Sequence, residues 1–113
     1  MVEDYDLYNE LQLKTKQLSA SLKQLRKNGI EFASKERDYK ILLRQECLKL
    51  RAEGMAVGMI TMTCYGIPSV ANARFERDKA EAIYKTNQEA INTLKLEMKL
   101  IEAQLSREWS AVK

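Results

Sequence analysis

The stretch Leu11-Gln-Leu-Lys-Thr-Lys-Gln-Leu18-Ser-Ala-Ser-Leu-Lys-Gln-Leu25 returns to leucine every seven residues, and Phe32 and Tyr39 continue the series in the same phase. Tyr8, Leu22, Leu43 and Leu50 stand three residues before or four after positions of this series. Apolar side chains at that spacing share one stripe of a helix, and the stripe must be buried against another helix. A second series follows the same rule: Tyr84, Ile91, Met98, Leu105 and Val112 recur every seven residues, with Ala80, Leu94 and Ile101 as companions.

Between the two series lies a Met- and Gly-rich run, residues 54–69. Glu53-Gly54 marks the end of the first helix, because Gly is the natural residue just past a helix C-terminus. Met55 to Tyr65 is expected to form a short helix. It is closed by Gly66-Ile67-Pro68, where Gly permits positive φ and Pro cannot continue the preceding helix, and Ser69 is placed to cap the next one. The expected fold is all-α: a single helical domain over residues 1–113, with a helix over 4–53, a connector over 54–69 and a helix over 70–112. Two long helices with a short joint make an antiparallel coiled-coil hairpin. A lone hairpin leaves Met55, Val57, Ile60 and Met62 wet, so assembly into a homo-oligomer, a dimer or higher bundle, is expected. Asn28-Gly29 is the weak point of the first helix. The unchanged phase from Leu25 to Phe32 favours a continuous helix over a turn.

Composition narrows the chemistry. The chain has one Pro, four Gly and 31% charged residues, which fits long helices and excludes a many-turned β domain. It has no histidine, and its two cysteines, Cys47 and Cys64, form no CxxC motif. No metal site, cofactor or catalytic residue is indicated, and no enzyme activity is expected. The sparse thiols are read as reduced and intracellular. No secretory signal is visible, and the apolar run Met55–Ile67 is too short to span a bilayer, so the expected location is the cytoplasm of a bacterial host, off the membrane.

Net charge is +3, unevenly spread. Glu3, Asp4, Asp6 and Glu10 make the start acidic, whereas residues 14–51 carry eleven Lys or Arg against four acids. Lys16, Lys23, Arg37, Arg44 and Arg51 occupy one heptad position, interrupted by Ile30. Such a row suits a phosphate backbone, with Lys14, Lys27, Lys40 and Lys49 broadening it. It equally suits the solvated outer face of any coiled coil.

Met55, Met59, Met62 and Tyr65 form the second candidate surface. Methionine is flexible and polarisable, which favours an adaptable partner-binding face, and Gly54 and Gly58 make a small-xxx-small pair for close helix approach. The bland alternative is an ordinary core at the end of a bundle. Trp109 is either an end-cap or a partner anchor, and Asn87 in the second seam fixes register. The segment Gly54-x3-Gly58 lacks the lysine and spacing of a P-loop. A helix-turn-helix reading places Arg74, Arg77 and Lys79 at a groove, against the interleaved Glu76, Asp78 and Glu81.

Tyr39-Lys-Ile-Leu-Leu-Arg-Gln-Glu, Leu48-Lys-Leu-Arg-Ala-Glu-Gly-Met, Arg74-Phe-Glu-Arg-Asp-Lys-Ala-Glu-Ala-Ile-Tyr84, Gln88-Glu-Ala-Ile-Asn and Glu102-Ala-Gln-Leu-Ser-Arg-Glu-Trp109 resemble small helical proteins encoded in early regions of phages and prophages of Gram-positive bacteria. The resemblance covers most of residues 7–109. It implies a setting of recombination, replication or counter-defence and transfers no functional residue. Two functions are expected on these grounds: an accessory protein of phage DNA metabolism that touches nucleic acid through the basic stripe, or an inhibitor that binds a host defence or regulatory protein. Sequestration of a small nucleotide between protomers and a virion structural role are further options.

Overall fold

A computed structural model describes residues 4–112. It contains three helices: α1, Asp4–Ala52; α2, Val57–Tyr65; and α3, Pro68–Val112. The described residues contain no strand. Helix α1 stays helical through Asn28-Gly29.

The ends follow from backbone chemistry. Gly54 adopts φ 89, the left-handed region that costs other L-residues about 1–2 kcal/mol. Its N–H donates to the Arg51 carbonyl and that of Met55 to the Leu50 carbonyl, the paired bonds of a Schellman stop. Three local expectations fail. The short helix begins at Val57 rather than Met55. Gly66 has φ −87 rather than a positive value, and α3 begins at Pro68, so Ser69 lies inside the helix instead of capping it. Pro is suited to the first helical position because its missing N–H would have no intrahelical partner there.

The chain divides into two compact units, and α1 packs on α3 within each. Unit 1 joins α1 through Arg26 to α3 from Lys85 onward. Leu7, Ile91 and Ile101 are buried in it, and Leu11, Leu18, Leu25, Leu94, Met98 and Leu105 are half-buried. The Lys14 ammonium reaches Glu97 Oε2 at 2.6 Å, and the Asn87 amide donates to the Ser21 carbonyl at 3.3 Å. These pairs run in opposite chain directions. Unit 2 spans Lys27–Tyr84 and buries Tyr39, Ile60, Cys64, Val70 and Ala80. The Phe32 and Tyr84 rings lie 6.1 Å apart, and the Arg77 guanidinium sits 4.7 Å over the Tyr39 ring.

The seven-residue series of both helices lies in the interior as expected, and of the companion positions on α1 Leu43 and Leu50 are half-buried whereas Tyr8 and Leu22 are not. Tyr8 is 53% exposed and Leu22 46%. The inward neighbours are Leu7, Lys14, Ser21, Asn28, Lys35 and Leu42 instead. Helix α3 brings polar groups opposite them: the Asn87 amide reaches the Ser21 backbone carbonyl, and Lys14 lays its stem along the seam while its charge meets Glu97. Val112, expected in the α3 seam, has a side chain outside the described residues.

Gly29 has a packing role. A Cβ there would stand 3.1 Å from the Tyr84 ring, so its absence lets that ring lie against α1. What reads as a turn signal is the seat of an aromatic side chain.

Candidate binding surfaces

The basic stripe lies on the outside of α1. Lys16, Lys23, Arg37, Arg44 and Arg51 are all exposed, the first two in unit 1 and the other three in unit 2. Much of the surrounding positive charge is already matched. Arg37 donates through Nε and Nη2 to Asp38 Oδ1 at 3.2 and 3.1 Å. Lys35, Lys40 and Lys49 pair with Glu31, Glu36 and Glu46 at 3.8, 3.6 and 3.1 Å. Lys14 faces the seam and does not broaden the stripe. Its hydrogen bond to Glu97 holds its ammonium above the ordinary lysine range, against a smaller opposing effect of burial. Lys16, Lys23, Arg44 and Arg51 have no carboxylate partner among the described residues.

The cations of the helix-turn-helix reading are engaged internally. The Arg74 guanidinium sits 5.3 Å over the Tyr65 ring. Arg77 covers Tyr39 and donates to Asp78 at 2.8 Å, a bond that holds it more firmly charged. Lys79 pairs with Glu76 at 3.1 Å. Little of this set is left to meet a groove.

Helix α2 explains the other surface. Its sequence, Val57-Gly-Met-Ile-Thr-Met-Thr-Cys-Tyr65, is largely apolar, interrupted by Thr61 and Thr63, yet only Ile60 and Cys64 are buried. Val57 is 77% exposed, Met59 56%, Met62 76% and Tyr65 43%. Met55 is half-buried beside the Schellman stop. The small-xxx-small pair does not exist as a helix face: Gly54 lies in the turn and a Cβ on Gly58 would meet open space. Trp109 is 63% exposed and belongs to unit 1, whereas the α2 surface belongs to unit 2.

Two features were not foreseen. Arg44, Cys47, Leu48 and Arg51 of α1 and Val57, Ile60 and Thr61 of α2 line an open groove of about 260 Å³. The Cys47 and Cys64 sulfurs lie 3.0 Å apart, with both thiols free. A separation of 17 residues across a turn gives no sequence cue for such a meeting. Burial pushes the Cys64 thiol up to about 11, and its hydrogen bond with Cys47 adds to the effect.

Among the described residues no cluster of His, Cys, Asp or Glu could hold a metal ion, and no helix is long and apolar enough to cross a membrane. No family model, curated protein or solved structure matches the chain. The fold and surfaces therefore define its class, an all-helical protein in which a long helix packs on another, and the particular function rests on the surfaces alone.

Proposed function

We propose that this chain is a non-enzymatic binding protein, an antiparallel helical hairpin working as a homo-oligomer, that docks a protein partner on the outer face of α2. One observation carries the reading: a nine-residue helix apolar on both sides sends Val57, Met59, Met62 and Tyr65 into solvent. A helix this rich in apolar side chains is normally buried, so its outer face is better explained by a partner than by water. The partner's chemistry follows from the neighbours. Methionines adapt to an apolar contact, while Arg44 and Arg51, without carboxylates of their own, favour an acidic rim. The resemblance to early-region phage proteins makes a host defence or regulatory protein the natural target. Exposed area supports self-association as well: the chain shows 8450 Å², against roughly 6400 Å² for a compact globule of its mass.

Nucleic-acid binding through the stripe is a second reading, supported by the unpaired Lys16, Lys23, Arg44 and Arg51 and weakened by the Arg37–Asp38 pair. One set of variants separates the two. In a nuclease-treated pull-down from a bacterial host, Met59→Ser/Met62→Ser/Tyr65→Ser should lose the dominant partner. Fluorescence anisotropy against single- and double-stranded oligonucleotides should show no salt-sensitive binding. The reverse pattern would move the function to the stripe. Three phosphate contacts by Arg37, Arg44 and Arg51 would weaken duplex binding about 40-fold between about 50 and 200 mM salt, and charge reversal of the three would abolish it.

A further inference from the structure

The end of α1 and the end of α2 meet at a pair of thiols. Cys47 Sγ and Cys64 Sγ are 3.0 Å apart, and neither is bonded to another sulfur. The two are not equivalent. Cys64 is fully buried, whereas Cys47 is half-buried and lines the α1–α2 groove together with Arg44 and Arg51. Neither arginine has a carboxylate partner among the described residues. An anion entering this groove meets two cations, an apolar wall of Leu48, Val57 and Ile60, and one thiol with a second thiol directly behind it.

We propose that Cys47 and Cys64 form a thiol–disulfide exchange site, at which an anionic low-molecular-weight disulfide of the glutathione class is attacked by Cys47 and the resulting adduct is resolved by Cys64 into an intramolecular bond. In the first step the Cys47 sulfur loses its proton and attacks one sulfur of the small disulfide. A Cys47–S–S–R bond forms, and the other half departs with the bonding electron pair and takes up a proton. In the second step Cys64 loses its proton and attacks the Cys47 sulfur, which expels the remaining small thiol. Two protein thiols are oxidised and one small disulfide is reduced to two thiols, so no other oxidant is needed.

The carboxylates of glutathione give Arg44 and Arg51 a role that a neutral or cationic disulfide would not. The buried Cys64 keeps its proton, which slows closure, because the thiolate is the attacking form. Closure ties α2 to the end of α1 and fixes the helix that carries Val57, Met59 and Met62. The inference does not depend on what those residues bind.

The reduced, desalted full-length chain is incubated with glutathione disulfide, acid-quenched at intervals and weighed by intact mass spectrometry. Wild type should pass through a single glutathione adduct to a species lighter than the starting chain by two hydrogens, with closure accelerating as pH rises. Cys64→Ser, and independently Cys64→Ala, should stop at the adduct. Cys47→Ser should react at least about tenfold more slowly, as expected of a buried thiol. Arg44→Glu/Arg51→Glu should slow glutathione disulfide while sparing or accelerating cystamine, its cationic counterpart. A wild-type chain that never loses two hydrogens, a Cys47→Ser variant that reacts at the wild-type rate, or an unchanged preference between the two reagents in the arginine variant would each overturn the proposal. Wild-type masses decide the closure question even if a variant fails to fold.

Discussion

Cys64 is the residue at which burial has the clearest chemical consequence. Its thiol is raised from about 9 to about 11 by desolvation first and by its hydrogen bond with Cys47 second. A group whose folded value is raised keeps its proton longer in the native state than in the unfolded chain. Its contribution to stability is therefore complete below about pH 9 and is lost as pH rises toward about 11. Denaturant unfolding across this window should show falling stability, and Cys64→Ala should flatten that slope even though the cavity it leaves lowers stability throughout. Lys14, held above its ordinary value by Glu97, adds a decline at still higher pH, so Lys14→Met is the control that separates the two contributions. Neither effect was legible in the chain. Cys47 and Cys64 carry no metal or redox spacing, and Lys14 reads as one more surface cation until Glu97 is brought to it from 83 residues away.

The helices themselves were largely legible. Periodicity placed both long elements to within a few residues, since a seven-residue apolar series has few other physical solutions. The glycines show where such reading stops. Gly54 is legible as a stop, and its φ of 89 supplies the reason. Gly58 reads in sequence as half of a close-approach pair, yet nothing lies within 4 Å of the place its Cβ would occupy. Paired substitutions should show this contrast in urea unfolding: Gly54→Ala should cost about 1–2 kcal/mol for forcing a Cβ into the left-handed region. Gly58→Ala should be neutral or gain up to about 1 kcal/mol from helix propensity. Equal effects at the two sites would mean that the stop at Gly54 contributes little. Gly29 is subtler, because the helix propensity gained by Ala is opposed by the Tyr84 ring at 3.1 Å. Gly29→Ala should therefore stabilise a Tyr84→Leu background more than wild type, which a double-mutant cycle measures directly.

For the whole molecule the ruling fact is a small interior beside a large exposed area. Eight apolar residues are buried among those described, while sixteen large hydrophobic side chains are exposed. If the outer face of α2 takes part in self-association, sedimentation velocity should show an oligomer that dissociates on dilution. Met59→Ser/Met62→Ser should shift that equilibrium by about 1–3 kcal/mol while leaving helix content unchanged. A concentration-independent monomer would leave the α2 face to a different protein, and an oligomer indifferent to these substitutions would place the contact elsewhere.

The sequence by itself determined the helical class, the two long elements, the Gly54 stop and the position of the seven-residue series in the interior, because each depends on spacing or on local backbone sterics. Which α1 residues complete the seam was decided only by the partner helix. A register in which Asn87 needs the Ser21 carbonyl and Tyr84 needs the space above Gly29 turns Leu22 outward and Lys14 inward. The meeting of Cys47 with Cys64 and the outward face of α2 are of the same kind. They depend on which atoms end up opposite each other in three dimensions, and hydrophobic spacing along the chain does not encode that.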